Sequence, residues 1–221
     1  VSDVPPPPPP SQFGSPPPAS SPDVGAALSY GWKKFQSNVG PLIIAVLIPV
    51  AAQIVLSLIG QFVIRSIFAS LLFSALSLVV GAVAGIGIFR VALQITAGEP
   101  ADIGKAFTYD RWGEWIGFSI VFGLMVGFGL ALCIIPGLLV LAFFGLAPFY
   151  FLDGRMSFGD SFSAARNAAS SKGLALPVLL AVIVGVLGVI ACFVGLLVTE
   201  PIAYVAVAFL YRYAVGQQVA A

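Results

Sequence analysis

From 67 to 95 the chain is apolar almost without a break, and Arg90 is the only charge in that run. Comparable runs occupy 42–64, 115–135, 138–152, 174–194 and 196–211. A helix needs roughly 20 apolar residues to cross the hydrocarbon core of a bilayer, and most of these runs reach or approach that length. Inside lipid the backbone must satisfy its own polar groups, which a helix does within one segment. Only 9% of the residues are charged and 59% are hydrophobic, against roughly 25% charged in soluble domains. The expected fold class is therefore all-α: a polytopic membrane protein with six transmembrane helices. The second span is placed at 71–89, with Arg90 snorkelling to the interface. The fourth is short enough to stand upright or thin the bilayer locally.

A short pattern precedes each pair of spans. It reads Asp23-Val24-Gly25-Ala26-Ala27-Leu28-Ser29, then Asp102-Ile103-Gly104-Lys105-Ala106-Phe107-Thr108, then Ser157-Phe158-Gly159-Asp160-Ser161-Phe162-Ser163. Each copy is a capping residue, an apolar residue, Gly, any residue, a small residue, Leu or Phe, and Ser or Thr. Gly25, Gly104 and Gly159 mark the register, and Asp or Ser ahead of an apolar residue is an N-cap signal. Three interfacial helices, each leading into a helical hairpin, are the expected arrangement. In the first, Val24, Leu28, Trp32 and Phe35 share a face away from Lys33 and Lys34, which suits the plane of a membrane interface. The second is expected from 102 to about 110, and the third from 157 to about 171. The hairpins repeat as well, since Gly137-Leu138-Leu139-Val140 recurs as Gly195-Leu196-Leu197-Val198, and Arg155 and Arg212 close the two hairpins. The first hairpin carries roughly a dozen extra residues before Arg90 and is the looser relative, with its turn expected near Gly60 to Ser66.

Three parts follow: 1–22 as a Pro-rich cytoplasmic tail, 23–215 as the six-span membrane domain, and 216–221 as a C-terminal tail. The first contains Pro5 to Pro10 unbroken and lacks an apolar payload to offset ordering. It reads either as a solvated spacer or as a polyproline ligand for a docking partner. No charged stretch precedes a short apolar one near residue 1, so the first span is expected to act as its own insertion signal. With six spans, Lys33, Lys34, Arg90, Lys105, Arg111, Arg155, Arg166, Lys172 and Arg212 fall on one side, and Arg65 alone on the other. The positive-inside rule then places both termini and the three surface helices in the cytoplasm.

Chemistry is sparse. His is absent, which removes the commonest general base and metal ligand. Ten basic against nine acidic residues gives no basic face for nucleic acid. No catalytic triad, paired catalytic carboxylates or phosphate loop is present, so neither enzymatic activity nor a cofactor or metal is expected. Cys133 and Cys192 fall at equivalent outer positions of spans three and five, either bridged across an oxidising exterior or as two small apolar residues. Glu200 is the one acid expected at or within the outer half of the bilayer, where a buried carboxyl marks function. Pro201 beside it leaves open a position in the outer loop. Gln53 reads as an interhelical hydrogen-bonding residue.

The Pro-rich tail, Ala27-Leu28-Ser29-Tyr30-Gly31-Trp32, Cys133-Ile134-Ile135-Pro136-Gly137 and Thr199-Glu200-Pro201 together resemble proline- and glycine-rich multi-span proteins of actinobacteria. The region from 24 to 215 is also similar to the membrane domain attached to some bacterial glycerophosphodiester phosphodiesterases. The resemblance implies a bacterial plasma membrane and carries no activity. Two functions are expected from these readings. One is an accessory or scaffold subunit of a larger inner-membrane complex, respiratory or envelope-building, whose partners are the bilayer and other subunits. The other is a transporter or lipid-handling protein, which should gather polar residues at mid-membrane between the repeats.

Overall fold

The computed structural model describes residues 23–63, 66–188 and 195–220, whose regular structure is all helical, with no strand among them. The Pro-rich stretch, Arg65 and Cys192 lie outside the described residues. The helices are α1 (Val24–Ser37), α2 (Val39–Val63), α3 (Ile67–Ala97), α4 (Ile103–Phe107), α5 (Trp112–Leu132), α6 (Ile134–Phe144), α7 (Ala147–Leu152), α8 (Phe158–Ser171), α9 (Ala175–Leu187) and α10 (Leu196–Ala214). Five segments are long and apolar enough to cross a membrane: Val39–Phe62, Ile67–Ala97, Trp112–Leu132, Ile134–Leu152 and Leu196–Ala214. A sixth is reached if α8 and α9 are taken together, but they meet at 106°. The polar, serine-rich α8 lies across the end of the apolar α9, which is 13 residues long as described.

The short helices start where local chemistry says they should. Asp23, Asp102 and Ser157 are the N-caps of α1, α4 and α8, and their side chains accept from the amides of Gly25, Lys105 and Asp160. Gly25, Gly104 and Gly159 are each the second residue of their helix. A Cβ at Gly25 or Gly104 would lie 3.2 Å from the capping carboxylate, whereas Gly159 beside the smaller Ser157 has open space. Ser157 also donates to Asp160 at 2.6 Å, a variant of the capping box.

Packing departs from the helical-wheel reading in several places. The inner face of α1 is Ala27, Gly31 and Phe35, and Trp32 points outward at 46% exposure. Small residues win this face because α1 lies almost backbone to backbone on α10: a Cβ at Gly31 would sit 2.6 Å from the Ile202 carbonyl oxygen. The second surface helix stops at Phe107 rather than reaching Asp110, since Thr108 leaves helical geometry and Tyr109 and Asp110 form a loop. α2 runs past Gly60 to Val63 and Ser66 caps α3, so the connection falls at the far end of the expected Gly60 to Ser66 stretch.

The second hairpin turns at Cys133, and Pro136 and Gly137 belong to the first turn of α6 instead of to the connection. Gly137 serves close approach: a Cβ at Gly129 would meet its Cα at 2.9 Å. The fourth span is broken between α6 and α7 at Gly145 and Leu146. Pro148, in the first turn of α7, lacks the amide that would continue the α6 ladder and its ring would crowd the carbonyl of Phe144. By contrast Pro201 does not break α10, which runs through it from Leu196 to Ala214.

The hairpin partners are α2 with α3, α5 with α6, and α9 with α10, and α3, α7 and α10 meet at the centre. Phe89 of α3 holds that junction, with its ring centroid 5.4 Å from Phe149 of α7 and 5.0 Å from Tyr204 of α10, both edge-on. A second aromatic group, Trp115, Phe118, Phe151 and Phe162, ties α5 to α7 and α8. The Trp115 indole donates to the Ala82 carbonyl at 2.8 Å.

Candidate functional site

One end of the bundle is charged and tightly bonded. Arg212 is 8% exposed and donates to the Asp153 carboxylate at 3.2 and 3.3 Å, while the Tyr211 hydroxyl donates to the same carboxylate at 2.8 Å. The guanidinium also reaches the Leu93 carbonyl and the Gln217 side chain. Arg212 thus joins α3, the end of α7 and α10. The C-terminal tail packs on the body: the Ala220 amide donates to the Thr96 carbonyl at 3.1 Å, and the Tyr30 hydroxyl donates to the Ala220 carbonyl at 3.0 Å. Burial pushes the Tyr30 phenol up to about 12, against the opposing pull of Arg212.

Arg90, expected to snorkel, instead donates to the carbonyls of Ala106 and Thr108 and lies over the Tyr109 ring. It closes the C-terminal end of α4, where unpaired carbonyls favour a cation. Gln94 fixes the other end of α4 through the Asp102 backbone, accepting its amide at 2.9 Å. Arg155 pairs with Asp110, and the Arg111 guanidinium donates to the Arg155 carbonyl at 3.1 Å and pairs with Glu114. The Arg155 hydrogen bond holds the Asp110 carboxyl below the usual carboxylate range. Arg155 sits at φ +47°, which side-chain-bearing residues seldom adopt.

Glu200 lies on α10, about 18 Å along the axis from Arg212 at 1.5 Å per residue. Tyr204 follows one turn later on the same face. Both line two neighbouring cavities of about 240 and about 700 Å³, close to or within the roughly 300–1,000 Å³ of small-molecule sites. The smaller lies between α6, α7, α9 and α10 and is apolar apart from these two residues. The larger lies between α2, α3, α5 and α10. Phe89, Phe122, Pro148 and Leu196 line both.

The larger cavity gathers polar residues from four spans: Gln53 and Ser57 from α2, Ser77 from α3, Ser119 from α5, and Glu200 with Tyr204 from α10. Gln53 donates to the Ser77 carbonyl at 3.3 Å, as its interhelical reading requires. The Ser119 hydroxyl oxygen is buried without a hydrogen-bond partner. Glu200 makes no hydrogen bond or ion pair with any side chain among the described residues. Sequence reasoning singled out Gln53 and Glu200 separately but missed Ser119, Tyr204 and the aromatic wall, because nothing local in α5 or α10 marks them.

No protein-family model, no curated protein and no solved structure shows significant similarity to this chain.

The other sequence candidates fall elsewhere. Cys133 is exposed at the α5–α6 connection and lines neither cavity, and its proposed partner Cys192 lies outside the described residues, as does the pairing. Gly25, Gly104 and Gly159 belong to helix starts and line neither cavity. Among the described residues no three His, Cys, Asp or Glu side chains come together as a metal site.

Proposed function

We propose that this chain binds and handles a lipid-like small molecule within the bilayer, in the paired cavities beside α10. The carrying observation is the convergence of Gln53, Ser57, Ser77, Ser119, Glu200 and Tyr204 from four helices on one cavity with aromatic walls. Polar side chains in spans are costly and usually face a bundle interior or a pathway.

In the same reading the body is built of three repeats, each a cytoplasmic interfacial helix plus a hairpin, in a bacterial plasma membrane with both termini cytoplasmic. Two features support it. Each short helix packs on the hairpin that precedes it in cyclic order: α4 on α2 and α3, α8 on α6 and α7, and α1 on α9 and α10. Arg90, Arg111, Arg155, Lys172 and Arg212 gather at one end through bonds to Thr108, Glu114, Asp110, Ala214 and Asp153, as the positive-inside rule asks of a cytoplasmic face. Repeats in one orientation about an axis along the membrane normal are a known plan for transport.

Affinity purification from native membrane in mild detergent, followed by organic extraction and mass spectrometry, tests the function. The expected result is one amphiphile per chain, lost in Gly85→Leu, where Gly85 lines the larger cavity with open space at its Cβ position. A stoichiometric membrane complex with no bound amphiphile would instead support the accessory-subunit reading, for which the proline-rich stretch is the motivating feature.

A further inference from the structure

Resting on the amphiphile-handling reading, we infer that the preferred occupant carries a positively charged headgroup, a quaternary or alkyl ammonium, seated against Glu200. Glu200 stands where the two cavities share a wall, and among the described residues no lysine or arginine lines either of them. Acids inside a membrane pair with a cation or mark the route of one. The basic side chains of the described residues that contact acids do so at the other end of the bundle, through Asp110, Glu114 and Asp153. Among the described residues Glu200 thus has no basic partner, which leaves it available to a charge brought by a ligand.

The surroundings fit an organic cation better than a bare metal ion. Phe89, Phe122 and Tyr204 flank the same junction, and aromatic faces attract alkylammonium groups through their quadrupole, most strongly where water is excluded. Trp115 and Phe118 extend the aromatic wall along the larger cavity. A metal ion would need several oxygen or nitrogen ligands in a tight shell, whereas here one carboxylate faces rings. The apolar remainder of the larger cavity, with Val46, Leu78 and Ile88, takes an alkyl chain.

Trp115 provides the readout, because it lines the larger cavity. Trp32→Phe and Trp112→Phe leave it as the sole indole. In neutral maltoside micelles this protein is titrated with a dodecyl chain brominated at its end and bearing either trimethylammonium or a hydroxyl group. Bromine quenches the indole on contact, and the Gly85→Leu variant reports quenching from the micelle alone. The expected result is that both probes quench beyond that reference, with the ammonium half-saturating at roughly tenfold lower concentration, and that Glu200→Gln removes this advantage while hydroxyl-probe quenching stays. Equal concentrations for the two probes, or an advantage that survives Glu200→Gln, would overturn the cation assignment and leave amphiphile binding standing. Failure of both probes to exceed the reference would overturn amphiphile binding itself, and the cation assignment with it.

Discussion

Arg212 near the end of α10 and Asp153 at the end of α7 form an ion pair at 3.2 Å, with side chains only 9% and 24% exposed. Tyr211 supplies a further hydrogen bond to the same carboxylate, and Leu93 and Thr96 of α3 contact the guanidinium. Breaking a buried pair by removing one partner strands the other charge and typically costs about 3–5 kcal/mol. Asp153→Asn should therefore destabilise the detergent-purified protein by about 3 kcal/mol, and Tyr211→Phe by about 1 kcal/mol for the lost hydrogen bond. Unfolding titrations in sodium dodecyl sulfate measure both. If Asp153→Asn does no more than Arg166→Gln on the exposed side of α8, Arg212 does not fasten the hairpins together.

Glycines in this chain divide by what surrounds them. Gly31→Val must push the Ile202 carbonyl away, because backbone cannot yield as a side-chain tip does. The expected cost is about 1–3 kcal/mol, with α1 becoming a preferred site of limited proteolysis. Gly117 on α5 has nothing near its Cβ position, so Gly117→Ala should be neutral or stabilising by up to about 1 kcal/mol. Equal losses at the two positions would mean that α1 is not seated on α10 as described.

Tyr30 gives the packed C-terminus a dependence on alkaline pH. Its neutral form is favoured in the folded state, with the phenol raised from 10.0 to about 12. That contribution is complete below pH 10 and is lost as pH rises from 10 towards 12. Because the phenol is half-exposed, screening reduces the effect to about 1 kcal/mol. Thermal unfolding between pH 8 and 12 should show a fall in stability that Tyr30→Phe flattens. The variant begins lower at pH 8 because it lacks the bond to Ala220. A parallel decline in both proteins would remove Tyr30 as its source.

Orientation is checked from two places at once. In a Cys192→Ser background, a membrane-impermeant maleimide applied to intact cells should label Cys133, which is exposed at the α5–α6 connection. A compartment reporter fused after Ala221 should report the cytoplasm. Labelling of Cys133 only after the membrane is broken would invert the orientation. With Cys192 retained, labelling that requires prior reduction would identify the two cysteines as bridged.

Segments long and apolar enough to cross a membrane, and the starts of the short helices, were readable from residues alone, for the same reason: both depend on neighbours in sequence. An apolar run keeps its length and hydropathy whatever packs against it, and Asp23, Asp102 and Ser157 cap amides two or three residues away. Even the break of the fourth span had a local signal in Gly145 and Pro148, although hydropathy alone passes over it.

What depends on the direction a side chain faces was decided by packing between helices. Hydropathy does not distinguish the lipid side of a span from its inner side, so Ala27 and Gly31 displaced Trp32 from the buried face of α1. Arg90, Arg155 and Arg212 stand at comparable places in the sequence pattern, yet one caps α4, one anchors a loop and one is buried in an ion pair. Gln53, Ser119 and Glu200 are far apart along the chain and become a single cavity lining only when α2, α5 and α10 close around Phe89. Local interactions are set by the chain's own spacing; a binding site needs several helices at fixed rotations, and those come from tertiary contacts.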